Sequence, residues 1–378
     1  MTKSITILGG GCAGLALARA LSGINYRGRV TILDSRCDYA NDKTWCFWAK
    51  PNNSWSQIAP YYWKKCLFSA NNHNSVVQRY RKYQYYCLPS DIYYQHCLNL
   101  IDKPNIKLLT NVEVQEIQPG KNAQPFPSYI ETSRGLIGAD IVVDTRTQSI
   151  GNALLYQSFF GQEVELVEPI GSCDTVRLMC NMKADHQSIS FYYLLPLNES
   201  RVLIEPTIFS RKVLPPTRLK HLFEEIYHIE NINVKKILRK ESAVLPMGSE
   251  YQRQKRGVIR GGIAGGALRS SSGYGFLRIQ SWAEQCAYSI ANNQNANYYS
   301  RELFQEKMDR LFLRVIRNNP QLGLYNFMQL STHLNPDIFA SFMSDSSNFY
   351  QWLQVVRTLP KWPFIKELVN GKRPIYNQ

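Results

Sequence analysis

The sequence predicts an α/β protein that combines a Rossmann-type dinucleotide-binding domain, a separate antiparallel sheet and a helical carboxy-terminal region. Three observations support this fold class: a strand, glycine turn and helix at the amino terminus; alternating apolar and polar segments over 151–242; and helical spacing of apolar residues after Tyr298. With 378 residues, 44% of them hydrophobic, the chain is long enough for two or three structural units.

The amino-terminal turn is the most informative motif. An apolar run leads into Gly9, and a helical pattern follows Gly14. Gly9 permits the tight turn, Gly11 lets backbone amides approach a pyrophosphate, and Gly14 lets the helix pack closely on the strand. Cys12 and Ala13 are expected to bind the same anion at the helix N-terminus. A glycine-rich turn of an unrelated sheet protein is the alternative.

A second apolar run, Val30–Leu33, ends in Asp34. This acid lies about twenty residues after the glycine turn, where a carboxylate can accept a hydrogen bond from a ribose hydroxyl. Asp34 is therefore predicted to complete the dinucleotide site.

Composition and residue spacing exclude several classes of protein. The formal charge of +15 would attract nucleic acid, anionic substrates or an anionic membrane, but the basic residues form no nucleic-acid module, and a solvated basic surface is the alternative. Nine cysteines without a C-x-x-C pair and six histidines without ligand spacing predict no structural metal and a reducing cytosol. Neither a secretory signal nor a bilayer-spanning run is visible.

Several elements of the first half follow from local pattern. The run Asp42–Trp48 is too aromatic for an ordinary surface loop. A helix is predicted near Ser90, with Ser90 and Asp91 supplying capping side chains. Residues 106–117 predict two short strands about Thr110 and Asn111, and Ala139–Asp144 predicts a buried strand ending in an acid.

The second half begins with the predicted sheet and returns to glycine. Ser188–Leu195 and Arg201–Glu205 predict an antiparallel pair joined by residues 196–200. Glycines cluster again over 261–275, which suggests a return to the cofactor, and a helix is predicted over Phe276–Ala291. Apolar residues at helical spacing then predict a helical remainder: Leu311, Phe312, Val315 and Ile316.

Taken together, these motifs resemble the lycopene cyclase family of flavoproteins, in its bacterial form, over most of the chain. The residues that carry the resemblance are the Gly9–Gly14 turn with Asp34, Asp42–Trp48, Gln157–Glu163, Tyr193–Leu197, Leu203–Thr207, Val244–Met247, Ala264–Gly266 and Ser272–Phe276. The Asp-Lys-Thr-Trp run and the glutamate after the Leu-Pro-Leu segment are the most specific.

The resemblance implies an organisation and a reaction. It implies a discontinuous FAD-binding domain (1–60, 101–150 and 241–295), an inserted antiparallel-sheet substrate domain (61–100 and 151–240) and a helical region with possible membrane contact (296–378). The expected enzyme is an isomerase that closes β-rings at the ends of lycopene or a related polyene without net oxidation. FAD is expected to be active in its reduced form, with NADPH as its electron source.

The same resemblance assigns one catalytic acid, and the sequence offers a second candidate. The family's functional glutamate maps onto Glu205, and a carboxyl facing an apolar cavity can serve as acid or base near neutral pH because burial raises its pKa. A surface glutamate closing a hairpin is the alternative. Asp42 is a second candidate acid, and capping a turn beside Thr44 explains it equally well. The family often has a second acid after this glutamate, whereas this chain has Pro206, so either reduced flavin handles one proton or the substrate differs.

Aromatic residues are expected to line the substrate pocket, because ring faces stabilise a carbocation without offering nucleophilic lone pairs. The candidates are Trp45, Phe47, Trp48, Tyr192, Tyr193, Phe276 and also Tyr274, with ordinary core packing as the alternative. Four further positions are expected to contact the cofactor: Gly265, Gly266, Gly273 and Tyr274. The Val114 backbone is a candidate contact for adenine, and an ordinary strand valine is the alternative.

Two other functions remain open from the sequence. A flavin-dependent monooxygenase or reductase acting on another apolar substrate would consume NADPH or oxygen, and a non-catalytic polyene-binding protein would not need Glu205. Because a polyene resides in a bilayer, the protein is expected in the cytoplasm and peripherally on the inner membrane, through its basic groups and Trp352, Trp362 and Phe364. A buried interdomain helix explains those aromatic residues as well. Oligomeric state, ring number and β or ε product stay open.

Overall fold

A parallel sheet underlies the nucleotide-binding part of the protein. The computed structural model describes residues 2–71, 74–119, 126–147, 151–215, 217–249, 257–294, 296 and 303–370. In spatial order the sheet contains β18 (Val258–Arg260), β12 (Ile141–Asp144), β1 (Ile5–Leu8), β2 (Val30–Leu33) and β8 (Ile106–Leu109), all parallel. Its central strand β1 is buried along its whole length, as expected for a parallel strand covered on both faces.

Three helices pack around this sheet: α1 (Cys12–Gly23), α3 (Ser90–Ile101) and α6 (Phe276–Ala291). Helix α1 lies between the other two, and its small buried residues allow the close approach. A second, three-stranded sheet contains β9 (Val114–Pro119), β10 (Ser128–Thr132) and β11 (Gly135–Ala139). It packs against the ends of β1 and β2 through a small apolar cluster that includes Ile130 and Ala139.

The large sheet has seven strands and is antiparallel except for one pair. Its spatial order is β17 (Val234–Met247), β13 (Leu155–Leu166), β16 (Arg201–Ser210), β15 (Ser188–Asn198), β14 (Thr175–Ala184), β5 (Lys65–Ala70) and β6 (Asn74–Arg79), with β14 and β5 parallel. Two short helices cover one face through a shared apolar cluster: α4 (Thr217–Lys220) and α5 (Leu222–Glu230).

The opposite face of the large sheet packs against the other three-stranded sheet and the carboxy-terminal helices. The small sheet orders β3 (Thr44–Ala49), β7 (Gln84–Pro89) and β4 (Tyr61–Trp63), with α2 (Ser54–Ile58) beside it. The last helices are α7 (Leu303–Asn318), α8 (Pro320–His333), α9 (Pro336–Met343), α10 (Phe349–Thr358) and α11 (Lys361–Asn370). In the part of the chain that the structure describes, no helix has the length and apolar character needed to cross a bilayer.

Several sequence predictions are confirmed and three are corrected. Helix α6 spans the predicted residues, and β8 and β9 flank Thr110 and Asn111. The predicted strand at 139–144 is divided, because Ala139 ends β11 and β12 begins at Ile141. The capping prediction at Ser90 is wrong: Pro89 is the N-cap without a side-chain cap, and Ser90 Oγ accepts hydrogen bonds from the amides of Asp42 and Lys43 instead.

The third correction concerns the hairpin. Strands β15 and β16 both run longer than predicted, and only Glu199 and Ser200 separate the end of the ladder at Asn198 from Arg201. Glu205 therefore lies in the middle of β16, not at its end. The predicted strand stopped at Glu205, before Pro206, but the strand continues through this proline, which has no N–H to donate, and pairs with β13 and β15 on either side.

Candidate active site

Three loops that follow parallel strands meet at the carboxyl end of the sheet. A Cβ on Gly14 would lie 1.9 Å from the carbonyl oxygen of Gly9, so the turn requires glycine there. Thr145, just after β12, donates from Oγ1 to that same oxygen at 2.9 Å. A Cβ on Gly262, after β18, would lie 2.6 Å from the Cβ of Ala13. The structure thus brings the two glycine clusters together, as expected for one ligand held at a strand-end crevice.

The first turn of α1 is open at its amino-terminal end. Gly11 is the N-cap and provides no side-chain cap, and no acidic residue lies in the first turn. Gly9 adopts a φ of +90°, which favours glycine. The amides of Cys12 and Ala13 lie in this first turn, where the helix dipole favours an anion.

Asp34 lies beside this turn at the end of β2. Its carboxylate accepts hydrogen bonds from the Gly10 amide at 3.0 Å, from Arg36 Nη2 at 2.9 Å and from Tyr39 Oη at 3.1 Å. Burial raises the pKa of Asp34, but the Arg36 and Tyr39 hydrogen bonds outweigh it and hold the pKa below the usual range. Arg36 was not identified from the sequence, although Asp144 and Arg146 repeat the same Asp-x-Arg pairing after β12.

Asp42 and Val114 lie at the same end of the molecule. Asp42 Oδ1 accepts a hydrogen bond from Tyr94 Oη at 2.9 Å, and Oδ2 lies 3.7 Å from Arg36 Nη1. These contacts place Asp42 with the Asp34 and Arg36 group, on the nucleotide side. The carbonyl of Val114 accepts a hydrogen bond from Arg146 Nη1 at 3.2 Å, so its backbone lies beside the loop that follows β12.

The second glycine-rich loop connects the nucleotide side to the large sheet. A Cβ on Gly265 would lie 2.4 Å from the carbonyl oxygen of Arg260, and Gly266 adopts a φ of +85°. Gly273, with a φ of +71°, approaches Gln157 Oε1 on β13 so closely that a Cβ would lie 2.7 Å from it. The loop therefore lies on the face of the large sheet to which Gln157 points.

Glu205 lies on this same face. Directly opposite residues of antiparallel strands share a face, and the register pairs Glu205 with Tyr193 on β15. On its other side Gly161 of β13 lies between β16 and β17, where it pairs with Glu241. A Cβ on Gly161 would lie 3.6 Å from Glu205 Oε2 and 3.3 Å from Glu241 Oε1. Two carboxyl groups therefore converge above one glycine.

The electrostatics of Glu205 favour its protonated form. Burial raises its pKa well above the usual range, and the charge of Glu241 raises it further; the charge of Arg239 and a hydrogen bond from Thr207 oppose this shift without reversing it. Burial also raises the pKa of the neighbouring Tyr193, with Tyr274 and Glu205 adding to the effect. These surroundings favour the protonated carboxyl, the form that can donate a proton.

Charged side chains extend from this pair toward β3. Arg239 donates from Nη1 to Glu241 Oε2 at 2.8 Å, from Nε to Glu163 Oε2 at 3.0 Å and from Nη2 to Thr44 Oγ1 at 2.7 Å. Glu163 is buried and also pairs with Arg201. Gly161, Glu163 and Thr44 lie within the sequence motifs. Glu241 and Arg239 lie outside every motif, so the sequence did not identify them, and the register of β17 on β13 places them at the site.

A largely apolar cavity lies beside Tyr193, the cross-strand neighbour of Glu205, although Glu205 itself does not line it. The space free of atoms in and in front of the cavity is about 1030 Å³, open solvent included, and Tyr193, Tyr274 and Trp48 contribute to its wall. Tyr274 Oη donates to Tyr85 Oη at 3.3 Å. Helices α7 to α11 supply much of the remaining wall, including Phe312, Phe339, Trp352 and Phe364. The cavity thus extends from the Tyr193 side of Glu205 to the carboxy-terminal helices.

The other aromatic candidates lie elsewhere. Trp45, Phe47 and Phe276 stack on one another, with Trp45 to Phe276 centroids at 5.8 Å and Phe47 to Phe276 at 5.0 Å, in the core beneath α1. Tyr192 points to the opposite face of the large sheet, because side chains alternate along a strand. Its hydroxyl donates to Glu230 Oε1 at 2.5 Å, and its ring belongs to the cluster beneath α4 and α5. We therefore leave Tyr192 out of the pocket.

No metal centre emerges from the described ranges: within them, no group of three or more His, Cys, Asp and Glu side chains is arranged to hold a metal ion. The polar side chains at the site are instead carboxyl, guanidinium and phenol groups. The carboxyl and phenol groups can donate and accept protons, whereas the guanidinium groups stay charged and hold the carboxylates.

Comparison with known proteins identifies the family. The model of the family described as "Lycopene cyclase protein" matches residues 4–367. The chain is 24% identical to the lycopene beta-cyclase of Pantoea ananas over 251 residues, which cover 62% of this chain and 64% of that protein. The matched segments thus span less than two thirds of the length of the curated relatives.

Solved structures of flavoproteins share the fold. A geranylgeranyl bacteriochlorophyll reductase-like protein from Thermoplasma acidophilum has a TM-score of 0.63 at 11% identity, over 97% of this chain and 98% of that one. The halogenase PltM, in a variant solved in complex with FAD, has a TM-score of 0.58 at 11% identity, over 98% of this chain and 84% of that one. These likenesses establish the fold, and the family match across nearly the whole sequence establishes the lineage: the chain belongs to the lycopene cyclase protein family.

Proposed function

We propose that this protein binds FAD and closes the ends of lycopene or a related acyclic polyene to β-rings by acid–base chemistry without net oxidation. The observation that carries the proposal is Glu205, a carboxyl whose raised pKa favours the protonated form. It pairs with Tyr193 of the cavity wall and shares a sheet face with Gln157, which the second glycine-rich loop approaches. Membership of the family narrows the substrate class to carotenoids.

The residues fit FAD. Gly9, Gly11 and Gly14 would hold the pyrophosphate at the amino end of α1, with the amides of Cys12 and Ala13, because no acid in that turn repels an anion. Asp34 would accept from the ribose, and Gly265, Gly266 and Gly273 would let the second loop approach the ring system. Reduced FAD supplies an electron-rich ring system that stabilises nearby positive charge, and NADPH is its proposed reductant.

The chain's own residues supply the proton. Glu205 donates a proton to a terminal alkene, a neighbouring double bond attacks the resulting cation, and loss of a proton forms the new ring alkene. One proton enters and one leaves, so substrate and product are isomers. The faces of Tyr193, Tyr274 and Trp48 stabilise the cation, each ring contributing about 0.5 to 2 kcal/mol in a dry site. Asp42 would assist on the nucleotide side by holding Arg36.

The substrate would enter from a membrane surface. Trp352 and Phe364 line the cavity, whereas Trp362 and Tyr350 on the same two helices are 74% and 75% exposed. Exposed Arg357, Lys361 and Lys366 lie beside them. An apolar surface bordered by basic groups fits an anionic lipid surface, and we propose peripheral contact with the inner membrane through α10 and α11.

The decisive experiment supplies lycopene in liposomes to the FAD-loaded protein under anaerobic conditions with NADPH, in D2O. Cyclisation without oxidation gives a product isomeric with lycopene that carries one deuterium for each ring, with no stoichiometric consumption of NADPH. Consumption of NADPH or oxygen in proportion to product would identify a reductase or monooxygenase. Recovery of unchanged lycopene from flavin-loaded protein would count against any cyclase.

Substitution of Glu205 tests the residue assignment. Glu205→Gln should lower the cyclisation rate by about 10² to 10⁴-fold, the range that a positioned acid contributes. The bound FAD, measured by its absorbance, should be unchanged. Glu165→Gln is the matched control, because Glu165 lies on neighbouring β13 and pairs with exposed Lys235. Undiminished cyclisation by Glu205→Gln would refute the assignment.

A further inference from the structure

Glu241 is an acid near Glu205 to which the proposed function assigns no role. It lies on β17 and is buried, and it is two strands away from Glu205 in the large sheet. The strand between them is β13, which pairs with both neighbours. At most such positions an intervening side chain would separate residues of the two outer strands.

Gly161 removes that obstruction. A Cβ there would lie only 2.9 Å from Glu241 Cγ, so any larger residue would displace the Glu241 side chain. The same position lies within van der Waals range of oxygen atoms from both Glu205 and Glu241. The glycine therefore allows carboxyl groups from two different strands to face each other across a third.

The two oxygens of Glu241 have different surroundings. Oε2 accepts from Arg239 Nη1 at 2.8 Å, and Arg239 is fixed in turn by Glu163 and by Thr44. Oε1 is the oxygen that lies above Gly161, toward Glu205. One side of the carboxylate is therefore anchored to a cation while the other presents negative charge to the proposed acid.

We propose that Glu241 is a positioning residue for Glu205: its carboxylate, reaching across Gly161, retains the proton on Glu205. The proton-donating role of Glu205 rests on the proposed function, but the pairing of the two carboxyl groups does not.

Other charged and titratable groups around Glu205 also affect its proton. Arg239 and Glu241 face it from β17, Tyr193 from β15, and Thr207 follows on its own strand. Glu163 on β13 pairs both with Arg239 and with Arg201 on β16. Tyr274 and Cys46 lie near Tyr193 and raise its pKa. Of these, Glu241 is the acid that raises the pKa of Glu205.

The test measures the proton on Glu205 directly. Infrared difference titration of protein carrying ¹³C-labelled glutamate would follow the carboxylic acid band, which the Glu205→Gln spectrum identifies. In Glu241→Gln the pKa of Glu205 should fall by about one unit or more, because a like charge is lost and Arg239 loses its counterion. Glu241→Asp should restore part of the shift.

Activity gives the second readout. The basic limb of the pH–rate profile should move to lower pH in Glu241→Gln, with activity at neutral pH recovering on acidification and bound FAD unchanged. Gly161→Ala should move the basic limb in the same direction, because its Cβ would displace the Glu241 side chain. This variant supplies the test if Glu241→Gln does not fold. Glu165→Gln, on the same strand pair as the buried network, should leave both readouts unchanged.

An unchanged Glu205 titration in folded Glu241→Gln overturns the inference. This failure differs from failure of the proposed function, in which the unsubstituted protein forms no cyclic product. The infrared titration needs no substrate, so the carboxyl pairing is tested even then.

Discussion

At the residue scale, proton donation to an alkene near neutral pH needs a carboxyl group whose surroundings favour the protonated form, and the surroundings of Glu205 favour it. Its pKa is raised by burial first and by Glu241 second. An ordinary surface glutamate would be ionised and could not act as an acid at that pH. Tyr193, opposite Glu205 on β15, contributes both to the surroundings of the carboxyl and to the cavity wall.

The raised pKa also predicts how stability depends on pH. The folded state binds the Glu205 proton more tightly than the unfolded chain, so this stabilisation is complete below the ordinary glutamate pKa of about 4.3 and is lost as pH rises through the folded value. Glu205→Gln cannot ionise and avoids that loss. Its free energy of unfolding relative to the unsubstituted protein should therefore increase as pH rises.

Urea unfolding at a series of pH values measures this difference. Glu165→Gln is again the control: the Lys235 hydrogen bond lowers the pKa of Glu165, so any contribution of Glu165 is lost toward acid pH instead. A constant difference between Glu205→Gln and the unsubstituted protein from pH 5 to about 9 would contradict the raised pKa.

At the scale of elements, strand ends and helix ends create the two halves of the site. The carboxyl ends of β1, β12 and β18 bring three loops together, and the first of these enters α1. Strand alternation on the large sheet separates Tyr193, which faces the cavity, from Tyr192, which packs beneath α5. The positions of strand and helix ends, and the alternation of side chains along a strand, thus determine which residues lie close together.

Gly14 offers a sharp test of the first half. Gly14→Ala should abolish FAD binding and lower stability by several kcal/mol, because the new Cβ would lie 1.9 Å from a backbone oxygen and the turn must open. Flavin absorbance of the purified protein and thermal unfolding measure both effects. Gly23→Ala, at the other end of α1, would place its Cβ more than 4 Å from every atom of the described residues apart from its chain neighbours and the backbone of its own helix, and should gain about 0.5 to 1 kcal/mol. Retention of flavin by Gly14→Ala would argue against this turn as the FAD site.

Helices α10 and α11 test the membrane proposal. Trp362→Ala and Lys366→Ala should each weaken binding to phosphatidylglycerol vesicles, the lysine by about fivefold, since a basic residue near an anionic surface contributes about 1 kcal/mol. Co-sedimentation at low and high salt measures this binding. The control is Tyr288→Ala, an exposed aromatic residue on α6. Equal binding by all variants, or no difference between anionic and neutral vesicles, would refute contact through these helices.

At the scale of the whole molecule, a buried ion pair joins the glycine loop to the carboxy-terminal helices. Arg269 is fully buried; its Nε donates to Asp309 Oδ2 on α7 at 3.2 Å, and Nη1 lies 3.4 Å from Asp345 Oδ1. The guanidinium also packs 4.1 Å from the Phe342 ring centroid. The cavity wall is thereby connected to the loop that is proposed to approach FAD.

Breaking this connection should destabilise the protein strongly. Asp309→Asn leaves the buried Arg269 cation with incomplete compensation and should cost about 3 to 5 kcal/mol. Glu284→Gln removes the exposed partner of Arg19 and should cost about 0 to 1 kcal/mol. Chemical denaturation of both variants provides the comparison, and equal costs would mean that Asp345 alone compensates the cation.

The sequence determined the features that depend on local spacing. The strand, turn and helix from Ile5 to Gly23, helix α6, and the strands about Thr110 and Asn111 follow from patterns within a few residues. Family motifs pointed to Glu205 and the second glycine cluster for the same reason, since each motif is contiguous. These motifs were sufficient to predict the fold class and the family.

Tertiary structure alone decided which residues from distant segments meet. Glu241 and Gly161 are 80 residues apart yet adjacent through register, and no contiguous motif records that pairing. The predicted strand stopped at Glu205, before Pro206, but pairing on both sides keeps β16 continuous and places Glu205 at its centre. Long-range strand pairing and the packing of whole faces fix these positions, because backbone ladders and buried apolar area outweigh the local preference of one residue.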